Sequence, residues 1–372
     1  MLRQLTIALA LLSLLGACCH LDVPPIPDSS AAAQRSFPLR WQPVTPDPAL
    51  SIRSLLPQIV VYPDGTITFV AQFVRTASDG KMTGELHLYR MDPGSGLRQT
   101  IVFGYPAGGA ATSTALFLSN FHFIPESLDS AWPVQHPMPG PSGAASLFRV
   151  ATHDALFYSA YTLGIGSPPP RLLRTTNNGL SWQTVLVATQ NDKLLPWLDV
   201  LAAGNIVAAH RSQFWGNVPY SELYVSRDAG KTWSSPVSLP TQYQIAILSA
   251  SLTPDGYIAA CDQFGSQPSN LMVSSLSGAL VSRKQIPCVR TSFVTRSTGL
   301  FTTQSEARLT TDAGASSNVI FTAPADHGII AARAVTADHF ILLVQKSSQP
   351  LHAAVYETKD RGATWNVVLS LD

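Results

Sequence analysis

The sequence predicts an all-β chain folded as a six-bladed β-propeller of four-stranded antiparallel blades, with seven blades as the alternative. Three observations carry this expectation. An eight-residue turn, Ser226-Arg227-Asp228-Ala229-Gly230-Lys231-Thr232-Trp233, returns nearly intact at Thr358 to Trp365 and, with Asn for Asp, at Thr175 to Trp182. A second signal, a short turn leading into an apolar strand, alternates with that box turn along the chain. Only 13% of the 372 residues are charged, while 28 prolines and 24 glycines supply frequent turns, a composition that suits many short strands.

Residues 1–17 read as an export signal: Arg3 is the positive end, Leu5 to Leu15 the apolar run, and Gly16-Ala17 the small residues before Cys18. The run is too short to span a bilayer. Leu15-Gly16-Ala17-Cys18 resembles the bacterial lipobox, which implies cleavage before Cys18, a lipid on that cysteine, and a membrane as the first partner. Residues 18–38, with Val23-Pro24-Pro25-Ile26-Pro27 and Ser29-Ser30-Ala31-Ala32-Ala33, read as a tether. The expected location is therefore exported and anchored to a bacterial membrane, facing periplasm or cell surface.

Residues 39–372 form the predicted propeller domain. The turn-to-strand signal precedes Thr66–Phe73, Leu156–Tyr161, Ile206–His210, Tyr257–Cys261, Leu300–Thr303 and Phe340–Gln345. Box turns or worn versions of them are centred on Asp92, Asn177, Asp228, Leu276, Asp312 and Asp360, one after each signal. A unit of strand, turn, strand, loop, strand, box, strand is one antiparallel blade, and six follow. Residues 106–143 contain strand-like Ala115 to Phe123 but no box, and read as an insertion; Arg40-Trp41-Gln42 looks like a strand that follows a box, near the closing seam.

The box residues have a structural reading. Asp or Asn in a tight turn accepts N–H bonds from its own loop, Gly supplies positive φ, and Trp182, Trp233 and Trp365 start the next strand, placed to pack between blades. One Asp per turn supplies too few oxygens for calcium, so no metal and no cofactor is expected. Lys+Arg 24 against Asp+Glu 23 excludes an electrostatic footprint for nucleic acid. No Walker loop, dinucleotide-binding glycines, HExxH or G-x-S-x-G elbow occurs. Cys261 and Cys288 either form one disulfide, as export permits, or stay two buried thiols.

These repeats resemble the Asp-box (BNR) repeats of the sialidase superfamily. The resemblance is most specific at the first blade, Leu56-Pro57-Gln58 to Asp64-Gly65-Thr66 and onward to Arg90. It implies that Arg75 and Asp79 stand at the family's arginine after the second strand and at its acid. The family's Arg-Ile-Pro arginine falls on Leu55, with Arg53 two residues away, and the family's Tyr nucleophile and assisting Glu have a counterpart only in Tyr356-Glu357, just before the last box.

Topology separates two ends. In a four-stranded antiparallel blade the loop after the second strand and the connection to the next blade share one end, and the box turn lies at the other. The candidate binding end thus receives Arg75, Asp79, His210, Arg211, Trp215, Gln263 and Lys346 after second strands, Trp197 in a connection and Trp132 in the insertion. The sequence points to a non-catalytic glycan- or protein-binding module, with a sialidase-like glycoside hydrolase using Asp79 as acid as the alternative.

Overall fold

The computed structural model describes residues 37–38, 41–45, 47–61, 65–80, 82–93, 96–106, 121–123, 130–133, 145–152, 155–161, 171–175, 183–187, 196–203, 205–213, 221–239, 246–263, 269–348 and 352–371. The export signal, Cys18, the tether up to residue 36, Asn177, Trp182 and Trp215 lie outside the described residues.

Two short strands, β1 (Phe37–Pro38) and β2 (Gln42–Pro43), precede a meander of β3 (Leu50–Val61), β4 (Ile67–Thr76), β5 (Met82–Met91) and β6 (Leu97–Pro106). After β7 (Phe121–Phe123) and β8 (Ser130–Pro133) comes β9 (Ala145–Thr152), β10 (Ala155–Tyr161), β11 (Arg171–Thr175), β12 (Gln183–Val187). The next meander is β13 (Pro196–Ala203), β14 (Ile206–Gln213), β15 (Ser221–Ser226), β16 (Val237–Ser238). It is followed by β17 (Ala246–Leu252), β18 (Tyr257–Gln263), β19 (Asn270–Ser275), β20 (Leu280–Gln285). Then come β21 (Arg290–Phe293), β22 (Gly299–Thr302), β23 (Glu306–Thr310), β24 (Asn318–Thr322), and last β25 (His327–Ala334), β26 (Phe340–Lys346), β27 (Ala353–Thr358), β28 (Asn366–Leu371). Each meander is hydrogen-bonded in sequence order, and all pairings are antiparallel.

Second strands are buried on both faces, which explains their unbroken apolar runs rather than alternation. Phe340 to Val344 of β26 are all buried, and β4 is buried at Ile67, Phe69, Ala71 and Phe73 as well as at Thr68 and Gln72. Apolar clusters sit between successive sheets: Leu172 packs with Val207 and Ala209, Leu223 with Met272, Leu271 with Phe301, and Leu300 with Leu342. First strands adjoin in order, β9 to β13 to β17 to β21 to β25, and β25 meets β3. One cluster joins Ile67, Phe69 and Phe73 of the first meander to Ile341, Leu343 and Val355 of the last. Meanders packed face to face in sequence, with the last returned onto the first, are the arrangement of a β-propeller.

One expectation is corrected. Gln42–Pro43 does not follow the last box; it pairs with β6 and gives the first sheet a fifth, outer strand, while β28 completes the last sheet without it. Trp41 lies there under the Arg90 guanidinium, 5.6 Å from it. The end of the expected tether, Phe37–Pro38, is a strand bonded to β8, and with β7 it makes a three-stranded sheet from the expected insertion.

Cys261 and Cys288 form a disulfide with Cα atoms 5.4 Å apart, both fully buried. It ties β18 to the connection that enters β21.

Candidate functional site

The box turns are self-contained hydrogen-bond cages. Asp228 Oδ1 accepts from the Lys231 and Thr232 N–H groups at 3.0 and 2.9 Å and from Ser226 Oγ at 2.7 Å, and Oδ2 accepts from Thr232 Oγ1 at 2.6 Å. Ser226 Oγ in turn accepts from Gly230 N at 2.7 Å. The backbone is left-handed at two successive residues, Ala229 (φ 57°) and Gly230 (φ 78°), so the strain falls on a non-glycine as well. Asp360 repeats the cage with Thr358 and Thr364. Asp312 repeats it with Thr310 and Ser316, so this copy is worn only in having Ser317 where the tryptophan stands.

Two copies differ from the cage in the contacts of their described residues. Leu276 is buried in an apolar cluster, and Asp92 forms ion pairs with Arg90 and Arg98 and accepts from Thr66 Oγ1 at 3.2 Å.

Each cage holds the same-end turn of its own sheet: Ala229 N, Ala313 N and Arg361 N donate to Asn205 O, Ser297 O and Asp338 O at 3.0, 2.9 and 3.0 Å. Each also leans on the preceding sheet. Arg174 Nε donates to Ala229 O at 2.8 Å, and Trp365 Nε1 donates to Ile320 O at 2.7 Å with its ring edge-on to Phe321. Trp233 sits likewise against the cluster around Leu172. The boxes are seam fasteners at one end of the fold.

The cage hydrogen bonds hold Asp312 and Asp360 down at about 2, the Ser316 and Thr364 hydroxyls acting most strongly; the Thr232 hydroxyl likewise holds Asp228 far below the carboxylate range. In the unfolded chain an Asp titrates near about 3.9. A depressed folded value means the contribution is complete above that pH and is lost as pH falls through the folded value. The melting temperature is therefore expected to fall between about pH 4 and pH 2, modestly because these carboxylates are exposed. The triple variant Asp228→Asn, Asp312→Asn, Asp360→Asn should melt lower at pH 7 and lose part of that slope. An unchanged slope in thermal melts across this range would count against the cages as its source.

At the opposite end the expected binding residues are dispersed. Arg75, at the end of β4, bonds bidentately to Glu85 and through Nη1 to Asp47 at 2.7 Å. Burial pushes Glu85 up, but its bonds from Arg75 and His87 outweigh this and leave its carboxyl below the ordinary range. Asp79 lies exposed in the turn after β4. The ladder between β3 and β4 shifts register between Ile52 and Ser54, at Arg53. His210 is buried in β14, between Asp199 and Leu223 of the flanking strands. Arg211 follows it, opposite Leu198 and Glu222.

Gln263 closes β18 opposite Ala246, and Trp132 in β8 stands opposite His122. Trp197 is not in a connection; it is the second residue of β13, paired with Ser212, because that strand begins earlier than its apolar run suggests. Tyr356 packs edge-on to Phe321 at 4.8 Å, and Glu357 bonds to His339 at 2.9 Å and Lys359 at 3.2 Å. That pair is occupied with packing and pairing near the box end.

A cavity of about 510 Å³ opens at this end, between the β21–β24 and β25–β28 sheets. Arg290 begins β21, Gln304 lies in the turn after β22, and Lys346 ends β26; Val289, Ile329 and Ile330 add apolar walls. The Ile329 N–H donates to Gln304 O at 2.8 Å and ties the two sheets together there. Lys346 follows from the second-strand rule, whereas Arg290 was missed, because a cation at the first position of an inner strand has no motif around it. Among the described residues, no group of three or more His, Cys, Asp or Glu side chains is placed to hold a metal ion.

The BNR/Asp-box repeat family model matches residues 224–235, the turn built around Asp228. This chain carries a BNR/Asp-box repeat. No curated protein matches it. Among solved structures it is similar to YCF48 from Cyanidioschyzon merolae, at 13% identity over 88% of this chain and 87% of that one, with a TM-score of 0.43. It is also similar to an α-L-arabinanase of Penicillium chrysogenum in complex with arabinobiose, at 11% identity over 89% and 99%, TM-score 0.44. The polysaccharide lyase Uly1 is similar at 9% identity over 82% and 90%, TM-score 0.45. Likenesses this distant carry no argument about ligand or chemistry, so the BNR/Asp-box turn and the geometry of the two ends are what bear on function.

Proposed function

We propose that this chain is a non-catalytic recognition module with a six-bladed, sialidase-like propeller, held at a bacterial membrane by a lipid on Cys18 and facing periplasm or cell surface. Its partner is a glycan or an envelope protein, bound at the end opposite the box turns. The three-stranded β1-β8-β7 sheet is an addition to the six meanders in this reading.

One observation carries the non-catalytic assignment. Arg75, the arginine that the family resemblance would give to a substrate carboxylate, already has two carboxylates of its own, Glu85 and Asp47. A guanidinium so engaged must exchange two charge-assisted bonds to grip a ligand, which removes the gain in doing so. Leu55 at the Arg-Ile-Pro position and the engagement of Tyr356 and Glu357 point the same way.

The test is a glycan panel scored for binding and for turnover, with Asp79→Ala alongside. Saturable binding without product, equal in both proteins, is expected. Hydrolysis that disappears in Asp79→Ala would replace this reading with the glycoside hydrolase.

A further inference from the structure

Among the described residues, nothing balances the charge on Arg290. Its Nε is buried and makes no hydrogen bond among the described residues, and burial alone pushes its pKa down with no carboxylate acting on it. Arg75, Arg90 and Arg98, by contrast, each have a carboxylate within reach. An uncompensated buried cation is costly to keep.

Strand alternation fixes which way Arg290 faces. Thr291 donates through Oγ1 to Ala259 O at 3.1 Å, and Phe293 packs in the same direction, toward the β17–β20 sheet. Ser292 faces the other way and accepts from Ala334 N at 2.9 Å. Arg290 shares the parity of Ser292 and so projects toward the β25–β28 sheet, into the cavity it lines. Directly across the ladder stands Thr302, fully buried, whose Oγ1 also has no partner among the described residues. Lys346 brings a second positive charge from the opposite wall, and Gln304 and Gln345 line the same space. Among the described residues, no acidic side chain lines it.

We propose that this inter-sheet cavity is a binding site for an oxyanion group of up to two negative charges, with Arg290 as its main anchor and Lys346 as the second cation. Carboxylate and sulfate share the required chemistry: planar or tetrahedral oxygens that accept from a guanidinium and an ammonium at once. The apolar wall of Val289, Ile329 and Ile330 suits the body of the molecule that carries the group. The site deepens the recognition role above and rests on that reading.

The full chain is titrated with sodium sulfate and, separately, with sodium glucuronate at constant ionic strength, following heat of binding and melting temperature. Saturable binding of one or both is expected, and the arm that binds names the group. Arg290→Met should weaken binding at least tenfold, and Lys346→Gln several-fold. Without ligand, Arg290→Met should melt at or above the wild-type temperature, because it removes an unbalanced, half-buried charge. A lower melting temperature would make Arg290 a structural residue and overturn the site. So would binding by neither anion, or equal binding by wild type and Arg290→Met. Glycan-panel binding that survives in Arg290→Met would sink this site while leaving the recognition role standing.

Discussion

Loss of the Cys261–Cys288 bridge is expected to cost about 3.5 kcal/mol of stability, the loop-closure term for its sequence separation of 27. The double variant Cys261→Ala, Cys288→Ala is the right test, because both sulfurs are buried and a reductant would report access rather than stability. Two things should change together in urea. The midpoint should fall, and the slope should steepen because the unfolded chain is no longer cross-linked. A stability loss below about 1 kcal/mol would mean that the burial of two small side chains, and not the cross-link, is what these positions supply. The bridge also has a positional effect. Cys288 stands two residues before Arg290, and its N–H is fixed by Ser269 Oγ at 2.6 Å, so the bridge sets where β21 begins. Sulfate- or glucuronate-dependent stabilisation should weaken in the double variant even at temperatures where it is fully folded.

The architecture was legible in the sequence because it is written in turns. Each of the six turn-to-strand signals lies within a residue or so of the start of an observed second strand, from β4 to β26. The cage chemistry of Asp228 and Asp360 follows from their Ser, Thr and Gly neighbours, all within four residues, so no tertiary information is needed to read it. What the turns could not show is pairing across long separations. Gln42–Pro43 looked like the end of a blade, and only the partner strand β6 decides which sheet it joins.

The binding end was harder for the same reason. Arg75 reads as a ligand-gripping arginine by position, but its role is set by Asp47, 28 residues upstream, and Glu85, ten residues on. Arg290 is the converse case: an unremarked residue whose importance lies in the carboxylate that does not accompany it.

Phe301→Ala is expected to remove about 3–5 kcal/mol, the range for truncating a fully enclosed aromatic ring. Phe301 is wholly buried in β22 and packs with Phe293, Leu271 and Cys261, so it fills the seam between the β17–β20 and β21–β24 sheets. Val319→Ala on the outer strand β24, where the side chain is 44% exposed, is the control and should change stability by about 0.5 kcal/mol or less. The more informative readout is cooperativity. From the β9–β12 sheet onward each sheet shares an apolar core with the next, and the last shares one with the first. Opening one seam uncovers a face of each of the two sheets it joins, and each of these shares a further core with its other neighbour. Far-ultraviolet circular dichroism follows all the strands, while tryptophan emission includes Trp365, which sits on the next seam against Phe321. The two transitions should shift downward together in Phe301→Ala and stay superimposed. If the fluorescence transition kept its wild-type midpoint while the dichroism transition split, the meanders would be independent units, and ring closure through the shared first and last core would not govern stability.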